Sequence, residues 1–165
     1  MLPNIECNLL HQPFEGDTLT QPIPAGLAAP ARATLGAWHA MLESGDLDAL
    51  DMLFAEDVVF RSPVAHTPYP GRNAAALVLR TVVTVFEAFR YHRGFATDDG
   101  ASVVLEFSAA VAGKSLKGID MIRFDADGKI IEFEVMVRPA TGLQALGAAM
   151  GAKLGDQLGR LKTGA

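Results

Sequence analysis

The stretch from Tyr91 to Arg138 constrains the fold more than any other part of the chain. It holds four strand-like segments, Tyr91–Thr97, Ser102–Ala112, Ser115–Asp125 and Lys129–Arg138. Their β-branched and aromatic content suits a pleated, half-buried surface. The linkers carry Asp99-Gly100, Gly113 and Asp127-Gly128, which is good hairpin turn chemistry. Consecutive strands joined by such short turns pair as antiparallel neighbours. A meander of this kind exposes an apolar face, and helices elsewhere in the chain must cover it.

Those helices are legible in the spacing of apolar residues. From Ala31 onward, Leu35, Trp38 and Leu42 recur at helical intervals, and Gly45 suits the helix end. Asp46 is placed to cap a second helix, with Asp48 in its first turn and Leu47, Leu50, Leu53 and Phe54 as its buried stripe. Val58–Ser62 reads as a strand. "PVAHTPYPG" then reads as a loop, since its prolines and glycine exclude regular structure. A long helix is predicted from about Arg72 to Arg90, with Leu77, Val78, Thr81, Val82, Val85, Phe86 and Phe89 on one face. A last helix runs from Thr141 to about Leu161, with Leu143, Leu146, Met150, Leu154, Leu158 and Leu161 as its stripe. Gly147, Gly151, Gly155 and Gly159 recur along it, each costing about 1 kcal/mol relative to alanine. They read either as a flat face for close backbone approach or as the mark of a fraying tail. The predicted fold is α+β: a curved antiparallel sheet wrapped around a long helix, cone-shaped with an internal cavity.

The 165 residues suffice for one domain with a real core. Residues 1–29 form an expected extended arm, broken by Pro3, Pro13, Pro22 and Pro24, with His11 and Phe14 as its anchors. Residues 30–140 are the expected cone domain, and 141–165 a C-terminal helix and tail. A net charge of -5 argues against binding nucleic acid or anionic membranes. Cys7 is the single cysteine, which excludes an internal disulfide and a cysteine-built metal site. There is no basic-then-apolar leader and no apolar run of the roughly 20 residues that a membrane span needs. A cytoplasmic location is therefore expected, with no metal and no cofactor.

One residue in the meander stands out. Asp120 lies among Ile119, Met121, Ile122 and Phe124, and a buried carboxylate is costly unless it is paired or hydrogen-bonded. Strand alternation puts Gly118, Asp120, Ile122 and Phe124 on one face, and Ile119, Met121 and Arg123 on the other.

Three segments carry a resemblance to a known family: "WHAMLESGDLDALDMLFAEDVVFRSP", "PGRNAAALVLRTVVTVFEAF" and "KGIDMIRFDADGKIIEFEVMVRP". Together they resemble the nuclear transport factor 2-like superfamily, and within it the SnoaL-like and ketosteroid isomerase-like bacterial branch, over about residues 31–140. The resemblance implies that Asp120 falls on the oxyanion-hole aspartic acid of ketosteroid isomerase, which an apolar site keeps protonated. Two further positions depart from that enzyme. Trp38 falls on its oxyanion-hole tyrosine, and an indole N–H can donate but not relay a proton. Ser62 falls on its general-base aspartate. Steroid isomerisation by that three-group mechanism is therefore not expected.

The family geometry places the face of Asp120 inside the cone. Ile131, Phe133, Val135 and Val137 then point inward on the next strand, and Glu132, Glu134 and Met136 outward. The candidate catalytic residues are Asp120 and His66, the latter an imidazole held in a proline-fixed loop. The candidate pocket lining is Trp38, Ser62, Tyr69, Ile122, Phe124, Phe133, Val135 and Val137. His39 is expected at the surface. The expected partner is a small hydrophobic ligand, and a homodimer through the outer sheet face is implied by the family. Three roles follow: a cofactor-free isomerase, cyclase, dehydratase or hydrolase; a noncatalytic ligand-binding protein; or a dimeric interaction module.

Overall fold

The computed structural model describes residues 21–155 and 157. His11 and Phe14 of the arm, and Leu158, Gly159 and Leu161 of the last helix, lie outside the described residues. The elements are α1 (Ala29–Ser44), a 3-10 turn (Leu50–Leu53), β1 (Phe54–Arg61), β2 (Tyr69–Pro70), α2 (Arg72–Val83), β3 (Glu87–Ala96), β4 (Ser102–Val111), β5 (Lys114–Phe124), β6 (Ile130–Arg138) and α3 (Ala140–Leu154). The strands form one six-stranded sheet in the order β2-β1-β6-β5-β4-β3. β3 to β6 make the expected antiparallel meander. β1 pairs with β6 in parallel, so the curved α+β sheet is mixed rather than wholly antiparallel. It stays open, with β2 and β3 as its edges.

The segment after Gly45 is not the second α-helix that its stripe predicts. Asp46 accepts the Asp48 amide at 3.0 Å, and only a four-residue 3-10 turn follows. Arg80 of α2 explains the difference, because its guanidinium donates to the carbonyls of Leu47 and Asp48 and pairs with Asp51. Leu50, Leu53 and Phe54 are buried all the same.

α2 stops at Val83 instead of running to Arg90. It runs into a β-branched segment, Thr81 to Val85, which is stiff at χ1. The Thr81 and Thr84 hydroxyls bond back to Leu77 and Thr81 carbonyls at 2.8 Å, a contact that favours bending. Phe86 and Phe89 therefore sit on the approach to β3 and within it, their rings stacked at 5.6 Å. The proline-rich loop also holds regular pairing. Tyr69 and Pro70 oppose Phe60 and Val59, and a proline is tolerated there because β2 is an edge.

β6 departs from simple alternation. The register breaks between Arg123 and Phe124, so Phe124 opposes Ile130, and Ile130 rather than Ile131 is buried. On α3, Leu146, Met150 and Leu154 are buried as the stripe predicts. No backbone approaches the glycine row where it is described. Gly147 faces the Val64 side chain, and nothing lies near Gly151. The close approach is at Gly142, off that row, where a Cβ would come within 2.8 Å of Leu116 Cβ.

Two hairpin tips hold the start of α1. The Ala28 amide donates to Gly100 O at 3.0 Å, at the β3–β4 tip. At the β5–β6 tip, a Cβ on Gly128 would lie 2.5 Å from the Pro30 carbonyl.

Candidate functional site

Asp120 sits mid-way along β5, between Leu105 of β4 and Val135 of β6. Its side chain is on the inner face, and the residue is 5% exposed. One oxygen, Oδ2, accepts a hydrogen bond of 2.5 Å from the Tyr91 hydroxyl. Tyr91 belongs to β3, two strands away, and its oxygen in turn accepts from Trp38 Nε1 at 3.1 Å. Gly118 makes room for this span. Phe107 of β4 lies over it, so any Cβ there would collide with the ring. Tyr91 packs edge-on against that ring. The chain Trp38–Tyr91–Asp120 thus joins α1, β3 and β5.

The electrostatics follow from burial. Desolvation pushes the Asp120 carboxyl up to about 7, against a smaller lowering by the Tyr91 bond. Burial and the neighbouring carboxylate hold the Tyr91 hydroxyl well above its usual range, so Asp120 ionises first. No second protein donor reaches the Asp120 carboxyl among the described residues, which leaves Oδ1 open to a ligand.

Asp120, Trp38 and Tyr91 border a cavity of about 610 Å³, within the range of small-molecule sites. α2 contributes Val78, Leu79 and Val82 to its wall, and α3 adds Leu146 and Met150. Of the residues expected to line a pocket, Trp38, Ser62, Tyr69 and Val135 do. The Ser62 hydroxyl accepts the Val64 amide at 3.3 Å. Phe133 is off the wall. It sits behind Trp38 and Phe60, whose rings lie 6.1 and 5.8 Å from its own. Ile122 and Phe124 are buried in the core beyond the cavity, and Val137 packs half-buried against that core. His66 is exposed in its loop and away from the cavity wall, because the loop turns outward before β2 pairs with β1. On the outer face, Glu132 pairs with Arg61 and Arg123.

His39 reverses its expected surface position. It is 4% exposed, and its ring packs 5.4 Å from Tyr91. Neither ring nitrogen has a hydrogen-bond partner, and burial lowers its pKa to about 4, so it is neutral. Among the described residues no cluster of metal-ligating side chains exists, and no helix is long and apolar enough to cross a membrane.

A family model, the SnoaL-like domain, matches residues 35–133. The chain belongs to the SnoaL-like family. The fold of this SnoaL-like chain is similar to solved structures at several distances. A structure described as a steroid delta-isomerase from Pseudomonas aeruginosa is 57% identical, with a TM-score of 0.78, over 81% of this chain and 97% of that one. An uncharacterised protein with a cystatin-like fold from Silicibacter pomeroyi DSS-3 is 32% identical, with a TM-score of 0.71, over 79% and 92%. A Mycobacterium tuberculosis protein, RV0760c, solved with estradiol-17β-hemisuccinate, shares the fold at 16% identity and a TM-score of 0.54, over 68% and 100%. No curated protein matches the sequence.

Proposed function

We propose that this SnoaL-like protein is a cofactor-free acid–base enzyme that shifts a proton on a small hydrophobic carbonyl compound, a steroid-like ketone being the best candidate. The observation that carries the reading is the Asp120 carboxyl. It is buried on the wall of an apolar cavity, bonded at one oxygen, and poised near neutral pH. Both of its protonation states are populated at neutrality, as a group that takes and returns a proton requires. The ionised carboxyl takes a proton from the carbon next to the substrate carbonyl, leaving an enolate. The neutral carboxyl then returns that proton to a carbon further along. The similarity to the Pseudomonas aeruginosa protein supports this reaction class.

With Ser62 at the position of a general base, Asp120 must perform both transfers. Asp120→Asn should lower turnover of a 3-oxo-Δ5 steroid by about 10² to 10⁴ with the fold intact, read as appearance of the conjugated ketone. A fully active asparagine variant would sink the reading. The changes at Trp38 and Ser62 favour one alternative, a noncatalytic binder in the same cavity, which would bind such ketones tightly and form no product. The same reading includes a homodimer through the outer sheet face, where Met136 is 48% exposed.

A further inference from the structure

The mouth of the cavity carries charge that proton transfer does not use. Phe89, Arg90, Tyr91 and His92 all reach the cavity wall. A regular strand sends alternate side chains to opposite faces, so four consecutive residues border one space only where a strand is irregular or forms a rim. β3 is such a rim. It is an edge of the sheet, and its register breaks on both sides of Arg90. Glu43, in the last turn of α1, and Gln21 border the same cavity.

The pairing of these groups is uneven. Arg61, Arg80, Arg93 and Arg123 sit in ion pairs and Arg32 bonds to two carbonyls, while Arg72 and Arg138, also without an ion pair among the described residues, do not border the cavity. Arg90 is in no ion pair or side-chain hydrogen bond among the described residues, and Glu43 does not approach it within 4.0 Å. His92 is already engaged, at 2.7 Å from the Ser108 hydroxyl. Gln21 Oε1 is buried without a partner, and the amide turned over would present its NH₂ instead.

We infer that the ligand is amphipathic: its apolar body fills the cavity up to Asp120, and a carboxylate at its other end is bound by Arg90 on the β3 rim. The inference rests on reading the Asp120 cavity as the substrate site. A guanidinium fork matches a carboxylate in a bidentate pair, and an exposed rim spares that anion the desolvation it would meet beside Asp120. Glu43 is the opposing charge at the mouth, so it weakens the preference without cancelling it.

The test uses 3-oxo-4-androstene-17β-carboxylate and its methyl ester, with affinity read from the fluorescence of Trp38, the single tryptophan and a wall residue. The wild type should bind the acid about tenfold more tightly than the ester. Arg90→Gln should bring the two within about twofold, Arg90→Lys should keep part of the preference, and Glu43→Gln should tighten the acid alone. Asp120→Asn should keep the preference whatever it does to turnover, so the two readings fail separately. Equal affinities in the wild type, no binding of the acid, or a preference that survives Arg90→Gln would overturn the inference.

Discussion

Replacing Asp120 by asparagine should stabilise the protein above neutral pH. Asparagine has the same shape, and its amide oxygen can accept the bond that Tyr91 now gives to Oδ2. What the change removes is a buried acid raised from 3.8 to about 7 by desolvation. Between those values the native state keeps a proton that the unfolded chain has released. The native state thus binds more protons, and wild-type stability falls as pH rises through that window. Each pH unit between the two values is worth about 1.4 kcal/mol, so the ceiling is about 4 kcal/mol. The variant lacks this dependence. Its advantage over the wild type should grow from about pH 4, level off above about pH 7 and stay level at pH 8. Taking the difference also cancels His39, which acts with the opposite sign. Its pKa is lowered from 6.5 to about 4, so stability rises with pH across that range in both proteins. Urea unfolding followed by Trp38 fluorescence from about pH 4 to about pH 8 measures the difference. A difference that is flat or shrinks with pH would refute the burial argument. Greater stability with lost turnover would mean that the wild type keeps Asp120 at a cost in stability.

Three other changes test neighbouring parts of the site. Tyr91→Phe removes a bond that lowers the Asp120 pKa, so the apparent pKa in a pH–rate profile should move upward, with a stability loss of about 1–3 kcal/mol. His39→Leu loses no hydrogen bond, so stability at pH 7 should change by less than about 1 kcal/mol, while the loss of stability from pH 6.5 towards 4 should become shallower in acid titrations. Gly118→Ala would drive a Cβ into the Phe107 ring and to 2.5 Å from the Met136 carbonyl. It should cost about 1–3 kcal/mol, seen as a lower thermal midpoint, and a wild-type midpoint would count against the packing described.

The hairpins, and which side chains share a face with Asp120, were legible in the sequence for a simple reason, while the inward direction of that face came from the family resemblance. Turn chemistry marks where strands end, as at Gly100 and Gly128, both of which adopt positive φ. Alternation of period two then assigns faces without any knowledge of the partner strand. The end of α2 was not legible, because Val82, Val85, Phe86 and Phe89 continue the helical spacing into a segment that becomes strand. The partner of Asp120 was hidden for a different reason. Tyr91 reaches it across β4, so their meeting depends on two hairpin registers and a bulge beside Tyr91. His39 and Trp38 are adjacent on α1 yet both buried, because Tyr91 takes a hydrogen bond from one and packs its ring against the other. Arg90 follows from the same irregular edge. The unread parts of the site are those set by strand pairing, not by local pattern.

The grip of the two hairpin tips on α1 has a consequence for the aim of Asp120. Trp38 lies two turns beyond Pro30, about 12 Å along the helix axis, and inherits its position from that end. A small tilt imposed at either tip is carried along a rigid rod to the indole, and from there to the hydroxyl that orients Asp120. Changes at Gly100 or Gly128, which do not line the cavity, can therefore alter the acidity and aim of the carboxyl. Two loops that do not line the cavity thus act as adjusting screws for a carboxyl they never meet.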